Sequence, residues 1–512
     1  MNIYVKLFPS DEVETLSVSE GVILEEIASQ YEKEFPFKVY AANVNGKIMD
    51  FMYQPVDGDV ITFLSLKEGY AKEFYQNSVI AMFAEALKRT FPGLSPVISN
   101  SLNKGLYCRI KQGRVLTQEE IDQVEKCMRG MTKENIALAD IDPVITPTVP
   151  FAGRIRNYDL KAFNDGIIIR TAQDTSPNSL ISYKEDNKLA NAFSIKRRWN
   201  DMLGLNTAED LNKVIRSGEI ADIIRISEAL HEKDIANLAD DIIKQGKRIV
   251  LIAGPSSSGK TSFAKRLCTQ IWVNGQKPIY LGTDDYFLDR ELIPFGPDGK
   301  QNFEDLDAID VELFNKQMNQ LLSGEPADIP RFDFISGKQV FGENIITAKP
   351  GQIIVIEGIH ALNDALTPQI SAEDKYRIYI SPLSTLQIDD YRRIPLTDIR
   401  KIRRIVRDAK KRGWDATHTI ESWASVRAGE EKNIFPYSDN ADAVFNSSLV
   451  YELSALKKWA EPMLADIPQG SKSYIESRRL LELLNRFEEL PDENVIANNS
   501  LIREFIGGST IA

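Results

Sequence analysis

The sequence predicts a multidomain protein in which two small mixed α/β units and a helical connector lead into an α/β domain built on a parallel sheet. Three observations carry this expectation. At 512 residues the chain is too long for one core and fits about three domains. Residues 1–65 run as short alternating strands around one helical stretch, VILEEIASQYEKE, with turns at Asn45-Gly46 and Asp57-Gly58. From Arg248 the pattern changes to unbroken apolar strands, RIVLIAG, PIYLGT, QIIVIEG, YRIYIS and ADAVFNSS, separated by helices, as a sheet covered on both faces requires.

The elements follow in order. Residues 1–65 are expected to form a β-grasp unit. Residues 66–200 form an α+β unit with one helix, SVIAMFAEALKRTF, closed by Pro92-Gly93, and a second, TQEEIDQVEKCMRGM, opened by Thr117 with Glu120 placed for a capping box. A helix-rich connector, 201–246, starts at Thr207, and its apolar spacing suits a helix lying on a neighbouring domain. The parallel-sheet domain spans 247–470. A C-terminal helical tail, 471–512, carries SYIESRRLLELLNRFEEL and a short IREFIGG segment without a readable role.

Composition narrows the function classes. The chain is 43% apolar and 27% charged, and it holds no apolar run near the ~20 residues that span a bilayer, so no membrane anchor is expected. The opening MNIYVKLFPSDEVETL lacks the basic and then apolar pattern of a secretory signal, which leaves a cytoplasmic location as the expectation. Cys108, Cys127 and Cys268 are too few and too scattered for a disulfide framework or a zinc cluster. A net charge of −12 opposes polyanion binding without a local basic surface. The only histidines are His231, His360 and His418, so residues 1–230 can supply no imidazole.

The chemistry starts at RIVLIAGPSSSGKTSFAKRL, a buried strand, a glycine-flanked turn and a helix, the context that G-x-x-x-x-G-K-[ST] needs. Small residues let the backbone N–H groups wrap phosphates while the helix aims its positive end at them. The nucleotide-binding set is therefore Gly254, Pro255, Ser256, Ser257, Ser258, Gly259, Lys260, Thr261 and Ser262. Lys260 is placed to bridge the β- and γ-phosphates of ATP, and the Thr261 hydroxyl to hold Mg²⁺. In LGTDDYF, Asp284 follows a strand, where it can take the proton of an attacking hydroxyl, while Asp285 reads equally as a loop residue. In QIIVIEGIH, Glu357 ends a buried strand on the nucleotide side and is the second candidate for Mg²⁺. Between Arg392 and Arg412, ten basic side chains face two acids; a mobile helix of this kind over the phosphates neutralises charge and excludes water, although many of these cations belong to a solvated face.

GPSSSGKTS, DDYF, NFEDLDAID, PRFDF, IEGIH, RKIRRIVRDAKKRG and YELSAL, in this order, resemble the uridine kinase and phosphoribulokinase family of P-loop kinases over about residues 247–455. The resemblance implies Asp284 as catalytic base, acting with Lys260, Arg403 and Arg412. It implies Phe287, Phe303 and Glu304 at the sugar side of the acceptor site, Phe332 and Phe334 stacking on the acceptor, and Arg400 with Arg403 in a lid. The tyrosine and histidine that read the base in animal uridine-cytidine kinases correspond to Phe332 and Gly337, with His360 as a possible substitute reader. Residues 1–65 and 66–200 resemble the TGS domain and second additional domain of threonyl-tRNA synthetase, on SVIAMFAEALKRTFPG, GLYCRI and TQEEIDQVEKCMRGM. The histidine pair of that domain is replaced by Asn77 and Ala81, so metal-dependent editing is not expected.

The expected activity is transfer of the ATP γ-phosphate to a small-molecule hydroxyl, with a nucleoside such as uridine or cytidine as leading acceptor. Two alternatives stay open. One is a kinase for another hydroxylated metabolite, as in the phosphoribulokinase and pantothenate kinase group. The other is an RNA-linked regulator; against it, residues 1–75 hold six lysines and thirteen acids, a balance of −7. A homo-oligomer is a further expectation from the family.

Overall fold

The computed structural model describes residues 1–6, 13–31, 38–138, 141, 144–295, 301–333 and 335–511. Phe334 therefore lies outside the described residues.

The first unit is a five-stranded mixed sheet in the order Val13–Ser17, Asn2–Lys6, Val60–Ser65, Val39–Val44, Lys47–Met49, with the pair Asn2–Lys6 and Val60–Ser65 parallel. Its helix, Leu24–Tyr31, buries Leu24, Ile27 and Ala28 against that sheet. The second unit is a four-stranded antiparallel sheet, in the order Pro96–Leu102, Gly105–Ile110, Gly166–Thr171, Tyr158–Phe163. The helices Gly69–Thr90 and Gln118–Glu134 pack on it, and the capping box expected at Thr117 and Glu120 forms. Asn77 and Ala81 are buried on the first of these helices, and the Asn77 amide donates to the Pro147 carbonyl at 3.1 Å. Both positions serve packing, and among the described residues no group of three or more His, Cys, Asp or Glu is arranged to hold a metal.

The C-terminal domain carries an all-parallel five-stranded sheet in the order Ile279–Gly282, Ile354–Glu357, Ile249–Ala253, Lys375–Ser381, Ala443–Asn446. All five apolar segments marked in the sequence form these strands. Ile249–Ala253 is central and fully buried, and the chain leaves it to build both sides of the sheet, so a crevice opens beyond its C-terminal end. Of the connector, the helices Ala208–Ser217 and Ile220–Lys244 lie against this domain and contribute Leu211, Ile224, Ile235 and Ile242 to its core. No helix among the described residues is long and apolar enough to cross a membrane.

Residues read from the sequence as a tail are built into that core. Leu480, Leu484, Leu501, Ile502 and Phe505 share one apolar cluster with Ile252, Phe263 and Ile402. An ionic knot fixes the helix Tyr474–Leu484 to the helix Leu396–Arg412: Arg479 donates to both oxygens of Asp398 at 2.6 and 2.7 Å, and Glu476 takes Arg479 and Lys401. The N-terminal half docks on the stretch preceding that helix through Ile98 N–H to the Asp390 carbonyl at 2.7 Å and Asn200 to Thr385 at 2.9 Å.

Burial raises the Glu476 carboxyl, but Arg479 and Lys401 outweigh it and hold the group down at about 2. A depressed carboxylate stabilises the fold fully above its unfolded value of about 4.3 and loses that contribution as pH falls toward about 2. Arg479→Ala strands two carboxylates, and a stability loss of about 3 kcal/mol is expected in urea unfolding at neutral pH. The same variant should show a flatter decline of stability between about pH 4.3 and 2 than the parent.

Candidate active site

The loop after the central strand is shaped by steric necessity. A Cβ on Gly254 would stand 2.1 Å from the Ile380 carbonyl oxygen, and Gly259, at φ +87°, starts the helix Lys260–Val273 from the left-handed region. Three arginines on one face of Leu396–Arg412, Arg400 and one turn later Arg403 and Arg404, hold the loop by its acceptor atoms. Arg400 donates to the Ser256 carbonyl at 3.1 Å, Arg403 to the Ser257 carbonyl at 3.3 Å, and Arg404 to the Ser256 hydroxyl at 2.8 Å. Glu430 pairs with Arg400, and Glu452 pairs with Arg403 at 2.6 Å. With these acceptors engaged from behind, the loop leads into the N-terminus of the helix Lys260–Val273, where an anion is favoured. The Ser257 and Ser258 hydroxyls are buried without a partner among the described residues, and Lys260 Nζ lies on the Gly254 carbonyl at 3.0 Å. Unpartnered buried hydroxyls, a nearby lysine and a helix N-terminus together fit a polyphosphate.

Carboxylates gather opposite. The Thr261 hydroxyl donates to Glu357 at 2.7 Å and the Tyr280 hydroxyl donates to the same oxygen at 3.0 Å, so the two residues expected to hold Mg²⁺ touch each other. Asp284 follows the strand Ile279–Gly282, and Asp284 and Glu304 stay open to solvent while surrounding protein walls them in. That confinement raises the pKa of Asp284; Lys260 opposes the rise, and Asp285 and Glu304 add to it. Confinement likewise raises Glu304 and Glu357, again opposed by nearby cations: Arg404 and Lys260 for Glu304, Lys260 for Glu357. Arg412, about half exposed, is near enough to Asp284 and Glu304 to feel both charges. The Thr261 hydroxyl and Glu357 carboxylate offer oxygen ligands of the kind a hard cation takes, and such a cation needs few protein ligands when phosphates supply the rest.

Phe287, Phe303 and Phe332 form one cluster, with ring centroids 5.5 and 5.6 Å apart in edge-to-face contact. Phe287 and Phe332 are largely buried, and Phe303 is partly so. Asp285 receives the Phe332 N–H at 3.4 Å and so tethers the hairpin Arg331–Asp333 and Lys338–Val340. Gly337, at φ +72°, accepts the Arg290 N–H at 2.7 Å through its carbonyl, and a Cβ there would stand 2.8 Å from the Arg290 side chain. His360 is fully buried, and burial keeps its imidazole neutral, down at about 4. Arg400 lies 3% exposed and Arg403 0% exposed, both in ion pairs at the loop, in place of the mobile lid expected from the sequence. The reason is the helix's other face, where Ile399, Ile402, Ile405 and Val406 enter the core and lock its orientation.

Residues 249–454 match the phosphoribulokinase / uridine kinase family profile. A uridine kinase of Lactobacillus helveticus is 30% identical over 197 residues, covering 38% of this chain and 84% of the relative. The chain belongs to the phosphoribulokinase / uridine kinase family. Uridine kinases of Deinococcus deserti, 29% identical over 38% of this chain and 86% of theirs, and of Borrelia duttonii, 30% identical over 41% and 94%, match the same kinase domain. A solved structure of a possible uridine kinase from Bacillus stearothermophilus aligns over 42% of this chain and 98% of its own, at 18% identity and a TM-score of 0.28.

Several partners of the kinase site gave little signal in the sequence. Glu430 also accepts the Ser256 N–H at 2.9 Å. Glu504, beyond the family match, accepts the Ser262 N–H at 3.3 Å and its hydroxyl at 2.7 Å, capping the first turn of the loop helix, while Leu501 fills the space beside Gly259. Neither carboxylate sits in a motif, but both lie on helical segments with an apolar face. Glu504→Ala leaves the buried Ser262 donors without that acceptor and is expected to cost about 1–3 kcal/mol in urea unfolding, with Glu504→Gln costing less because it still accepts.

Proposed function

We propose that this kinase domain transfers the γ-phosphate of ATP to a hydroxyl of a small molecule, with a nucleoside, uridine or cytidine, as acceptor at its 5′-OH. The observation that carries the reading is the pairing of Thr261 with Glu357 at the loop's exit, opposite Asp284 across from Lys260. ATP with Mg²⁺ supplies the transferable phosphoryl and the charge neutralisation. Residues Gly254 to Ser262 bind the phosphates through the loop backbone, and Thr261 and Glu357 hold the metal. Asp284, with its raised pKa, orients the acceptor hydroxyl and takes its proton. Lys260 and Arg412 face the developing charge, while Arg400 and Arg403 keep the loop in shape from behind. The Phe287, Phe303 and Phe332 cluster and Glu304 form the acceptor side, and Phe334 belongs to the same segment.

The names of the relatives and the aromatic cluster support a nucleoside. A second reading, another hydroxylated metabolite, is favoured by Gly337 and Phe332, which offer no polar side chain to a base edge. The two N-terminal units are read as TGS-like and second-additional-domain-like modules that keep a fold without the metal histidines, and a regulatory or scaffolding role fits their acidic first 75 residues.

An ATP-consumption screen with Mg²⁺ against uridine, cytidine, other nucleosides, ribulose 5-phosphate and pantothenate tests the acceptor. Uridine or cytidine turnover supports the nucleoside reading, and turnover of another compound replaces it. Asp284→Asn is expected to lower kcat by about 10³-fold or more while ATP still binds by calorimetry. Because the base acts deprotonated and its pKa is raised, the acid limb of kcat should lie above the ordinary carboxylate value of about 4. A limb at or below that value, or substantial activity in the variant, removes Asp284 as the base.

A further inference from the structure

A cleft of about 540 Å³ lies on the seam between the two N-terminal units, between the helix Leu24–Tyr31 of the first and the end of Gln118–Glu134 of the second. Pockets of that size take small organic ligands. Five cationic side chains line it, Lys38, Arg129, Lys133, Arg154 and Arg156, against one carboxylate, Glu25. The excess is local, since the chain as a whole carries −12.

Some of this charge is spent on structure. Arg154 takes both Glu25 oxygens at 2.9 and 2.7 Å and lies 4.7 Å over the Phe51 ring, which ties the two units together. Arg129 donates to the Arg156 carbonyl at 2.8 Å and covers the Tyr158 ring at 3.9 Å. Two of the cations, Lys133 and Arg156, keep donors to spare. Lys133 makes no ion pair among the described residues, and Arg156 uses only Nε, on the Gly153 carbonyl at 3.3 Å. A cation in the last helical turn also answers the helix dipole, which bears on Lys133 and leaves Arg156 unexplained.

We propose that this seam cleft binds a phosphorylated small molecule of about nucleotide size, with its phosphates at Lys133 and Arg156. Guanidinium forks and ammonium groups match phosphate oxygens, and the ring of Phe151 in the same lining gives an apolar surface for the remainder of the ligand. This site stands apart from the kinase loop and does not rest on the kinase reading.

The test uses the full chain carrying Lys260→Ala, which silences the phosphate loop, titrated with inorganic pyrophosphate by calorimetry. A dissociation constant below about 1 mM is expected, and affinity should fall by about tenfold or more when Lys133→Glu and Arg156→Glu are added. Both positions are exposed, so the charge reversals leave the core untouched. Absence of pyrophosphate binding at about 10 mM, or unchanged affinity after charge reversal, overturns the proposal. So does binding of a short RNA, lost on charge reversal, in a chain that does not bind pyrophosphate.

Discussion

Everything catalytic in this chain depends on the grip of one helix face on the carbonyl side of the phosphate loop. A loop that wraps anions must turn its N–H groups one way, and its carbonyls, which repel phosphate, must be satisfied on the other. Arg400 and Arg403 provide that satisfaction for the Ser256 and Ser257 carbonyls from neighbouring turns of a single helix, and Arg404 adds a bond to the Ser256 hydroxyl. Burying three guanidiniums is costly unless each is paired, and Glu430, Glu452 and Asp408 pair them. The arrangement is rigid because the same helix is apolar on its opposite side, so rotating the arginines away would expose Ile402 and Ile405, both fully buried.

The charge pattern then sorts itself by distance from the loop. Cations sit behind it and at its lysine, while Asp284, Glu304 and Glu357 sit in front. Asp284 stays wet and confined together, which raises its affinity for a proton without hiding it from an acceptor. Glu357 is held differently, by two hydroxyl donors, and those hydrogen bonds favour its ionised form against the pull of burial. Two carboxylates on adjacent strand ends thus differ in their immediate partners, which suits the unlike tasks proposed for them, proton transfer and metal holding.

The local parts of this design were legible in the sequence. The five strands, the loop and the caps at Thr117 and Thr207 all follow from short patterns whose meaning does not depend on distant residues. The arginines were legible as a basic run but not as a grip. Their roles rest on Glu430 and Glu452, 30 and 49 residues further on, and a charge run looks the same whether solvated or buried. The segment IREFIGG was opaque for the same reason, since Glu504 acquires its meaning from Ser262, 242 residues earlier.

That long-range cap bears on why the chain is built as one piece. The C-terminal segment closes the first turn of the loop helix, the helix Tyr474–Leu484 is tied by Arg479 to the start of the arginine helix, and the second N-terminal unit docks on the stretch just before it. Segments on both sides of the family region therefore converge on one helix and the loop it holds. Uridine kinase relatives match 35–41% of this chain, and the residues outside that match meet the kinase domain at the arginine helix, the stretch before it and the loop helix.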